Sequence, residues 1–270
     1  MVYLLGTIAN DADHMPSLLW ALANELEPPA VDPKETWGVG YYADDRALII
    51  RKPVELLTER SAFQLAPEVM SRIVVAAAHG GASREHSPPF RFRRWLFAFN
   101  GNLDPLLGLK GTILDKLPDF VRTELREASG GELAFGMLLA ELHRANLLDD
   151  TLAEGQALAG AVARTVDTIG RLVTEAGTGS AQASYVATNG RLLLVARSGI
   201  PVAWKIQQGL DSLPEGPPDP ALTDFKQIAA ALKRFRAVVV AAGAPRPGWT
   251  EVGEGKVLTI DAKLQIRPGI

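Results

Sequence analysis

The strongest constraint on the fold is the order in which two kinds of hydrophobic pattern follow one another. Residues 1–10, 37–53, 71–79 and 93–103 have the short apolar runs of strands, and strand patterns return after residue 180. The region between them, residues 130–177, repeats its apolar residues at helical spacing. A β-rich start, a helical middle and a β-rich end predict sheets covered by helices. Because no break in composition divides the chain, we expect one domain over residues 1–270.

Shorter signals predict individual elements. Met15 to Leu26 carries leucines at helical spacing, and the turn Ala-Asp-Asp-Arg predicts a hairpin within residues 37–53. Asn189-Gly190 predicts a second hairpin, because this dipeptide favours the tight turns that join antiparallel strands. The proline-rich residues 27–36 and the Pro, Gly and Asp-rich residues 207–224 are expected to be loops.

Composition narrows the function. The net charge is -3, which argues against nucleic acid and anionic membranes as partners. No signal peptide or membrane span is indicated, so we expect a cytoplasmic protein. The chain has no cysteine, which excludes thiol nucleophiles and thiolate metal sites. No phosphate-binding glycine motif is present, so we do not expect a nucleotide ligand. We also expect no other cofactor and no metal.

A series of motifs then occurs in a distinctive order, although each one is weak alone. They are TWGVGYY (36–42), VVAAAHGGAS (74–83), SPPF (87–90), WLFAFNGNL (95–103), SGGELAFGMLLAEL (129–142), ASYVATNGRLLLVARSG (183–199) and the closing segment 237–263. This order resembles the class II glutamine amidotransferases, which are N-terminal-nucleophile (Ntn) hydrolases, and in particular their stand-alone subfamily. The resemblance covers nearly the whole chain. It implies a four-layer αββα sandwich, an α+β fold in which helices cover two facing antiparallel sheets.

The same resemblance shows where catalytic groups are missing. Working members begin with a cysteine whose own α-amino group activates the thiol. Val2 stands at that position here, and an isopropyl group cannot attack a carbonyl carbon. One alternative is that Val2 replaces a natural cysteine, but restoring the thiol alone would leave glutamine without its anchors.

Both glutamine anchors are also replaced. The arginine that holds the α-carboxylate in the family corresponds to Gly80, and the aspartate that holds the α-ammonium corresponds to Gly130. Gly131 stands at the serine of the family's Asp-Ser-Glu string, so that only the glutamate, Glu132, is retained. Asn100-Gly101 matches the family's oxyanion hole, although Asn-Gly is also an ordinary turn signal. Phe99 stands where the family usually has a histidine.

These losses predict a pseudoenzyme that acts as a binding, regulatory or assembly partner. Its partner would be an active paralogue, another protein subunit or a second copy of this chain. Binding of a small-molecule ligand is a further possibility. The alternative is an enzyme of a different amide or acyl hydrolysis or transfer, using a remodelled cleft. The candidate residues of that cleft, besides Asn100 and Gly101, are Trp37, His79, Gly80, Ser83, His86, Gly130 and Glu132.

Two further patterns leave alternatives open. His79 and His86 could form a metal pair, or a base for Ser83 or Ser87, or be solvated loop residues. The arginine-rich RFRRW (91–95) could contact an anion or a partner, or protect an edge strand from pairing by its charge.

Overall fold

The computed structural model describes residues 3–26, 36–53, 69–79, 87–125, 127–213, 219–221, 224–243 and 245–269. In these residues thirteen strands, numbered in chain order, form two antiparallel sheets of seven and six strands. In spatial order, sheet A contains β11 (Thr250–Glu251), β9 (Val202–Gln208), β10 (Arg236–Ala242), β1 (Tyr3–Ala9), β4 (Ile73–His79), β2 (Thr36–Ala43) and β3 (Arg46–Pro53). Sheet B contains β13 (Ile266–Pro268), β12 (Val257–Ile260), β8 (Leu193–Ser198), β7 (Gln182–Thr188), β6 (Trp95–Asn102) and β5 (Phe90–Phe92).

Along the described chain every helix lies between two strands. They are α1 (Met15–Glu25), a 3-10 helix (Asp104–Leu109), α2 (Lys110–Lys116), α3 (Asp119–Arg122), α4 (Gly130–Arg144), α5 (Gly155–Ala176) and α6 (Phe225–Arg234). Although α5 has 22 residues, neither it nor another helix of the described ranges is long and apolar enough to cross a bilayer.

Three apolar clusters define the layers. The middle cluster lies between the sheets and consists of aliphatic side chains such as Leu4, Val186 and Val240. A second cluster joins the outer face of sheet A to α1 and α6, and a third joins the outer face of sheet B to α2, α3, α4 and α5. Because strand residues alternate between faces, each sheet contributes to two clusters. The result is the expected four-layer αββα sandwich.

Most strand and helix predictions are confirmed. The 37–53 hairpin turns at Asp44 and Asp45, both with positive φ, and Asn189 Oδ1 accepts the Arg191 and Leu192 N–H groups in the second hairpin turn. Strand β9 and helices α2 and α3 were not predicted. Residues 207–208, expected in a loop, belong to β9, because their strand is specified by pairing with β10 and not by an alternating pattern.

The arginines of residues 91–95 have structural roles. Strand β5 is the edge of sheet B, as the charge-protected interpretation requires. Arg91 donates to the Ala47 carbonyl, Arg94 donates to the Asn189 carbonyl, and Arg93 forms an ion pair with Asp149. The three guanidinium groups therefore tie the edge hairpin to its neighbours.

One charged network fastens α4 to α5. Glu141 on α4 accepts hydrogen bonds from Arg144 at 2.7 Å and from Arg164 of α5 at 2.5 Å. Burial by itself raises the pKa of Glu141, but the hydrogen bonds and charges of the two arginines outweigh it, so the pKa is lowered overall. The ionised carboxylate therefore stabilises the folded state.

Glu141→Gln is expected to cost about 1 kcal/mol at pH 7, a value typical of a partly exposed network. A lowered folded pKa gives stabilisation that is complete above the unfolded value and is lost as the pH falls through the folded value. The difference between wild type and variant, measured by urea unfolding, should therefore shrink as the pH falls below about 4.3. Glu175→Gln is the control, because Glu175 is 59% exposed and lies 3.6 Å from its partner Arg171. A difference that persists unchanged at pH 3 would contradict this account.

Candidate functional site

Strand β6 carries the predicted oxyanion pair at its end. Its residues alternate, so that Trp95, Phe97 and Phe99 face the helices and Ala98 faces sheet A. Asn100 follows the Ala98 side and therefore points into the layer between the sheets, where it is half-buried. Within the described ranges its side-chain amide makes no hydrogen bond. The amide is thus available at the end of this layer.

Gly101 is required by the backbone. Its φ is +140°, a region that side chains rarely adopt, and a Cβ at this position would lie 2.1 Å from the Gln182 carbonyl oxygen on β7. Strand pairing therefore accounts for this glycine without any catalytic role. The Asn-Gly pair continues β6 and pairs with Ser184 and Ala183, so it is not a hairpin turn.

Gly130, the first residue of α4, packs against the end of β6. A Cβ on Gly130 would lie 2.2 Å from the carbonyl oxygen of Leu103 and 2.6 Å from its carbonyl carbon. Contacts this short do not occur between non-bonded atoms, and both neighbours are backbone atoms. An aspartate side chain therefore cannot be added here unless α4 and the segment after β6 move apart.

Gly131 is constrained by Phe99. A Cβ on Gly131 would lie 2.4 Å from Phe99 Cε1 and 2.9 Å from Phe90 Cε2. The resemblance places a serine at position 131 and a histidine at position 99, so these two departures touch one another. The phenyl ring of Phe99 occupies the volume that a side chain at position 131 would need. Phe99 consequently fills the helix side of sheet B and does not fill the space between the sheets.

Glu132 stabilises the start of α4. Its Oε2 accepts from the Ser129 backbone N–H at 3.0 Å and from the Ser129 hydroxyl at 3.2 Å, while Ser129 Oγ accepts from the Glu132 N–H. This reciprocal arrangement is a capping box. With 6% of its surface exposed, Glu132 is a buried capping residue next to Gly130 and Gly131.

Trp37 lies on the opposite face of sheet A from this site. Its indole is buried at 5% exposure in the cluster that contains α1, on the same side as Val39. The neighbouring Gly38 faces the other way, where a Cβ would lie 2.5 Å from the Pro88 carbonyl oxygen. The structure thus places Asn100 and Gly101 at the end of β6 and Gly130 against Leu103, the residue that follows β6, whereas Trp37 lies on the far face of sheet A.

The segment Ser87–Pro89 covers the inner face of β2. Arg51 of β3 holds it, because Nε donates to the Ser87 carbonyl at 2.9 Å and a terminal nitrogen donates to the Pro89 carbonyl at 2.8 Å. Apart from the string Arg-Lys-Pro at residues 51–53, the sequence contained no signal that predicts these two hydrogen bonds. Arg51 therefore holds Ser87 and Pro89 against the edge of sheet A.

Several predicted residues cannot be placed. Val2, Gly80, Ser83 and His86 lie outside the described residues, as does the side chain of His79. The backbone of His79 ends β4, opposite Thr36 of β2. The histidine–serine hypothesis therefore stays a prediction.

Two further polar residues, on the next two strands of sheet B, continue a row from Asn100 and were not singled out from the sequence. Ser184 of β7 is the direct register partner of Asn100, and Arg197 of β8 is the partner of Ser184. Alternation with Val186 and Val195 directs all three side chains into the layer between the sheets. We name Asn100, Ser184 and Arg197 the polar row. The sequence did contain a signal for this row. On each of the three strands, one polar residue interrupts the alternating aliphatic residues that face the other sheet.

Arg197 joins the two sheets. Its Nη1 donates to Glu251 Oε1 at 2.6 Å and to the Val252 carbonyl at 2.9 Å. Its Nε lies 3.1 Å from Glu254 Oε2. One guanidinium therefore faces two carboxylates, and this end of the polar row carries no surplus positive charge.

Comparisons with known proteins identify the fold. No protein-family model matches the sequence, and no curated protein does either. A glutamine aminotransferase class-II domain protein from Silicibacter pomeroyi is 16% identical over 99% of both chains, with a TM-score of 0.57. A predicted glutamine amidotransferase from Pseudomonas aeruginosa is 15% identical over 98% of this chain and 94% of its own, with a TM-score of 0.50.

A third similar structure is glutamine phosphoribosylpyrophosphate amidotransferase from B. subtilis, in complex with ADP and GMP. It is 13% identical over 98% of this chain, with a TM-score of 0.56, and this chain spans 48% of its length. These structural neighbours are class II glutamine amidotransferase domain proteins. The chain therefore has an Ntn-hydrolase-like fold, and at these identities the likeness establishes the fold alone.

Proposed function

We propose that this protein is a pseudoenzyme with the class II glutamine amidotransferase fold, which does not hydrolyse glutamine and acts by binding. The observation that carries the proposal is the packing of Gly130 on the Leu103 backbone, because it removes the space for an ammonium-binding side chain. Removing one partner of a buried charge pair typically costs about 2 to 5 kcal/mol of binding, because the other charge is left buried and unpaired, so this loss alone weakens glutamine affinity severely.

Two sequence features support the same proposal. The 270 residues contain no cysteine, and Gly80 stands where the resemblance places the carboxylate-binding arginine. Nucleophile and both anchors are therefore missing together, while the apolar layers that build the fold are intact. Loss confined to the chemistry of one site is expected when selection retains the scaffold for another purpose.

The proposal predicts no glutaminase activity. Purified protein incubated with glutamine should release no more ammonia than a heat-inactivated sample, with an active class II amidotransferase as the positive control. The physical reason is that neither a sulfur nucleophile nor a pair of charged anchors is available. Glutamine should likewise leave the melting temperature unchanged, since a ligand of the folded state raises it by mass action. Ammonia release above the control would refute the proposal.

The binding role is a separate part of the proposal. We propose a regulatory or assembly partner, either another protein subunit or a second copy of this chain. Affinity capture from the native cell combined with measurement of the solution mass tests it. Recovery of no specific protein together with a strictly monomeric state would contradict it.

A second candidate function is an enzyme acting on another amide or acyl compound. It is favoured by Asn100, whose amide is half-buried and makes no hydrogen bond within the described ranges, so that it could donate to a developing oxyanion. A library of amides and esters screened for hydrolysis distinguishes the two functions.

A further inference from the structure

A second cleft lies where β1 ends, and it is separate from the candidate site. Its volume is about 560 Å³, within the range of about 300 to 1,000 Å³ that is usual for small-molecule sites. Because Arg72 precedes β4 and His79 ends it, the cleft lies at the opposite end of that strand from His79. The walls of this cleft, which we name the β1-end cleft, include Asn10, Asp11, Asp13, Arg72, Arg234 and Phe235.

Asn10 holds the walls of the β1-end cleft together. Its N–H donates to the Arg236 carbonyl at 3.0 Å, its Oδ1 accepts from the Arg236 N–H at 2.9 Å, and its Nδ2 donates to the Arg234 carbonyl at 3.1 Å. The Asn10 carbonyl in turn accepts from Arg72 Nη2 at 3.0 Å. Because β10 and β4 are the neighbours of β1 in sheet A, Arg234 and Arg72 flank the end of β1, one shortly before each neighbouring strand.

Both guanidinium groups keep most of their hydrogen-bond donors. Arg72 uses only Nη2, in the bond to Asn10, and Arg234 uses only Nε, which donates to the Ala230 carbonyl at 3.2 Å. Neither arginine forms an ion pair with a carboxylate of the described residues. Since a guanidinium has five N–H donors in a planar fork, each of these two groups can still bind an oxyanion.

Two carboxylates also line the β1-end cleft, and one of them is already paired. Asp11 Oδ2 lies 2.9 Å from His14 Nδ1, and Asp11 Oδ1 accepts from the Asp13 N–H at 3.0 Å. The exposed Asp13 carboxylate has no such partner within the described ranges. Two guanidinium groups therefore face one unpaired carboxylate, and the cleft favours an anion over a cation.

The number of donors and the Asp13 charge select the kind of anion. A carboxylate has two oxygens and one negative charge, so that a single guanidinium fork satisfies it. A phosphate monoester has three terminal oxygens and a charge of about −1.5 to −2 at pH 7. It can therefore accept from both forks at once, and its larger charge outweighs the repulsion from Asp13.

We propose that the β1-end cleft binds a small organic phosphate, whose phosphate group is held by Arg72 and Arg234. The cleft has room for more than the phosphate group, so the organic part of the ligand lies in it as well. This site goes beyond the proposed function and does not depend on it, because no residue of the cleft belongs to the candidate site.

The first test compares glycerol phosphate, inorganic phosphate, succinate and chloride as probes at equal ionic strength. In titrations into the millimolar range, glycerol phosphate should shift the backbone amide NMR signals of Asn10, Arg72 and Arg234 saturably. Inorganic phosphate should bind more weakly, because it lacks the organic part, and succinate more weakly still. Equal shifts with chloride, or tighter binding of succinate than of glycerol phosphate, would overturn the proposal.

Variants give the second test. Arg72→Gln and Arg234→Gln should each weaken the binding of glycerol phosphate about tenfold, as expected for the loss of a charge-assisted hydrogen bond. Asp13→Asn should strengthen it about threefold by removing a like charge, a gain that misfolding cannot produce. Arg122→Gln is the matched control, because Arg122 is an exposed arginine that pairs with Asp119 on α3. It should leave the affinity unchanged.

Unchanged affinity in either cleft arginine variant, or a loss in Arg122→Gln as large as theirs, would show that the phosphate does not bind in the β1-end cleft. Weaker binding in Asp13→Asn would contradict the charge argument and likewise overturn the proposal.

Discussion

Gly130→Asp is expected to destabilise the protein by about 3 to 5 kcal/mol and to create no glutamine binding. The new Cβ would lie 2.2 Å from the Leu103 carbonyl oxygen, and neither backbone can yield without separating α4 from the end of β6. Overpacking of this kind is among the few mechanisms that produce such large effects. Chemical unfolding measures the free energy, and the melting temperature should fall by roughly 10 °C.

Two further variants isolate the cause. Gly130→Ala carries the same Cβ without the charge, so it should be destabilised almost as much. Gly170→Asp introduces the same carboxylate in α5, where a Cβ meets no atom within 4 Å, and should change stability by less than about 0.5 kcal/mol. Should Gly130→Asp be as stable as wild type, position 130 has room for the ammonium anchor and the proposed function loses its main support.

Gly131→Ser is expected to cost about 2 to 3 kcal/mol, because its Cβ would overlap the ring of Phe99. Phe99→Ala alone should cost about 3 to 5 kcal/mol through the cavity that it leaves. In the double variant the serine occupies part of that cavity. The double variant should therefore be at least about 1 kcal/mol more stable than the sum of the single effects predicts.

The control for this cycle is Phe92→Ala. Phe92 is also a buried phenylalanine of the same sheet, but it packs on Phe120 and Arg93. Its combination with Gly131→Ser should be additive within about 0.5 kcal/mol. Equal coupling energies for Phe92 and Phe99 would show that the two departures at positions 99 and 131 are not a compensating pair.

The replacements at positions 130 and 131 affect packing as well as chemistry. In the sequence, each glycine shows only that the family's functional side chain is absent. In the structure each glycine also allows a close approach, of Leu103 in one case and of Phe99 in the other. Restoring the family's residues one at a time therefore acts against the packing of α4 on sheet B.

Much of the fold could be predicted from the sequence. Patterns of period two and 3.6 located β1, β2, β3, β4, β6, α4 and α5, and the turn residues Asp44, Asp45, Asn189 and Gly190 located two hairpins. Strand β9 was not predicted, because its outer half alternates weakly and is specified by its pairing with β10. Propensity and periodicity describe local structure, and pairing with a distant strand overrides them.

For the site, the sequence by itself determined which chemical groups this protein has: no thiol in its 270 residues, glycines at positions 80 and 130, and an asparagine at position 100. Only the tertiary structure decided which of them meet. It placed Trp37 on the far face of sheet A, sealed Gly130 against Leu103, and set Ser184 opposite Asn100. The physical reason is that composition fixes what a side chain can donate or accept, whereas strand register and layer packing fix the direction in which it points.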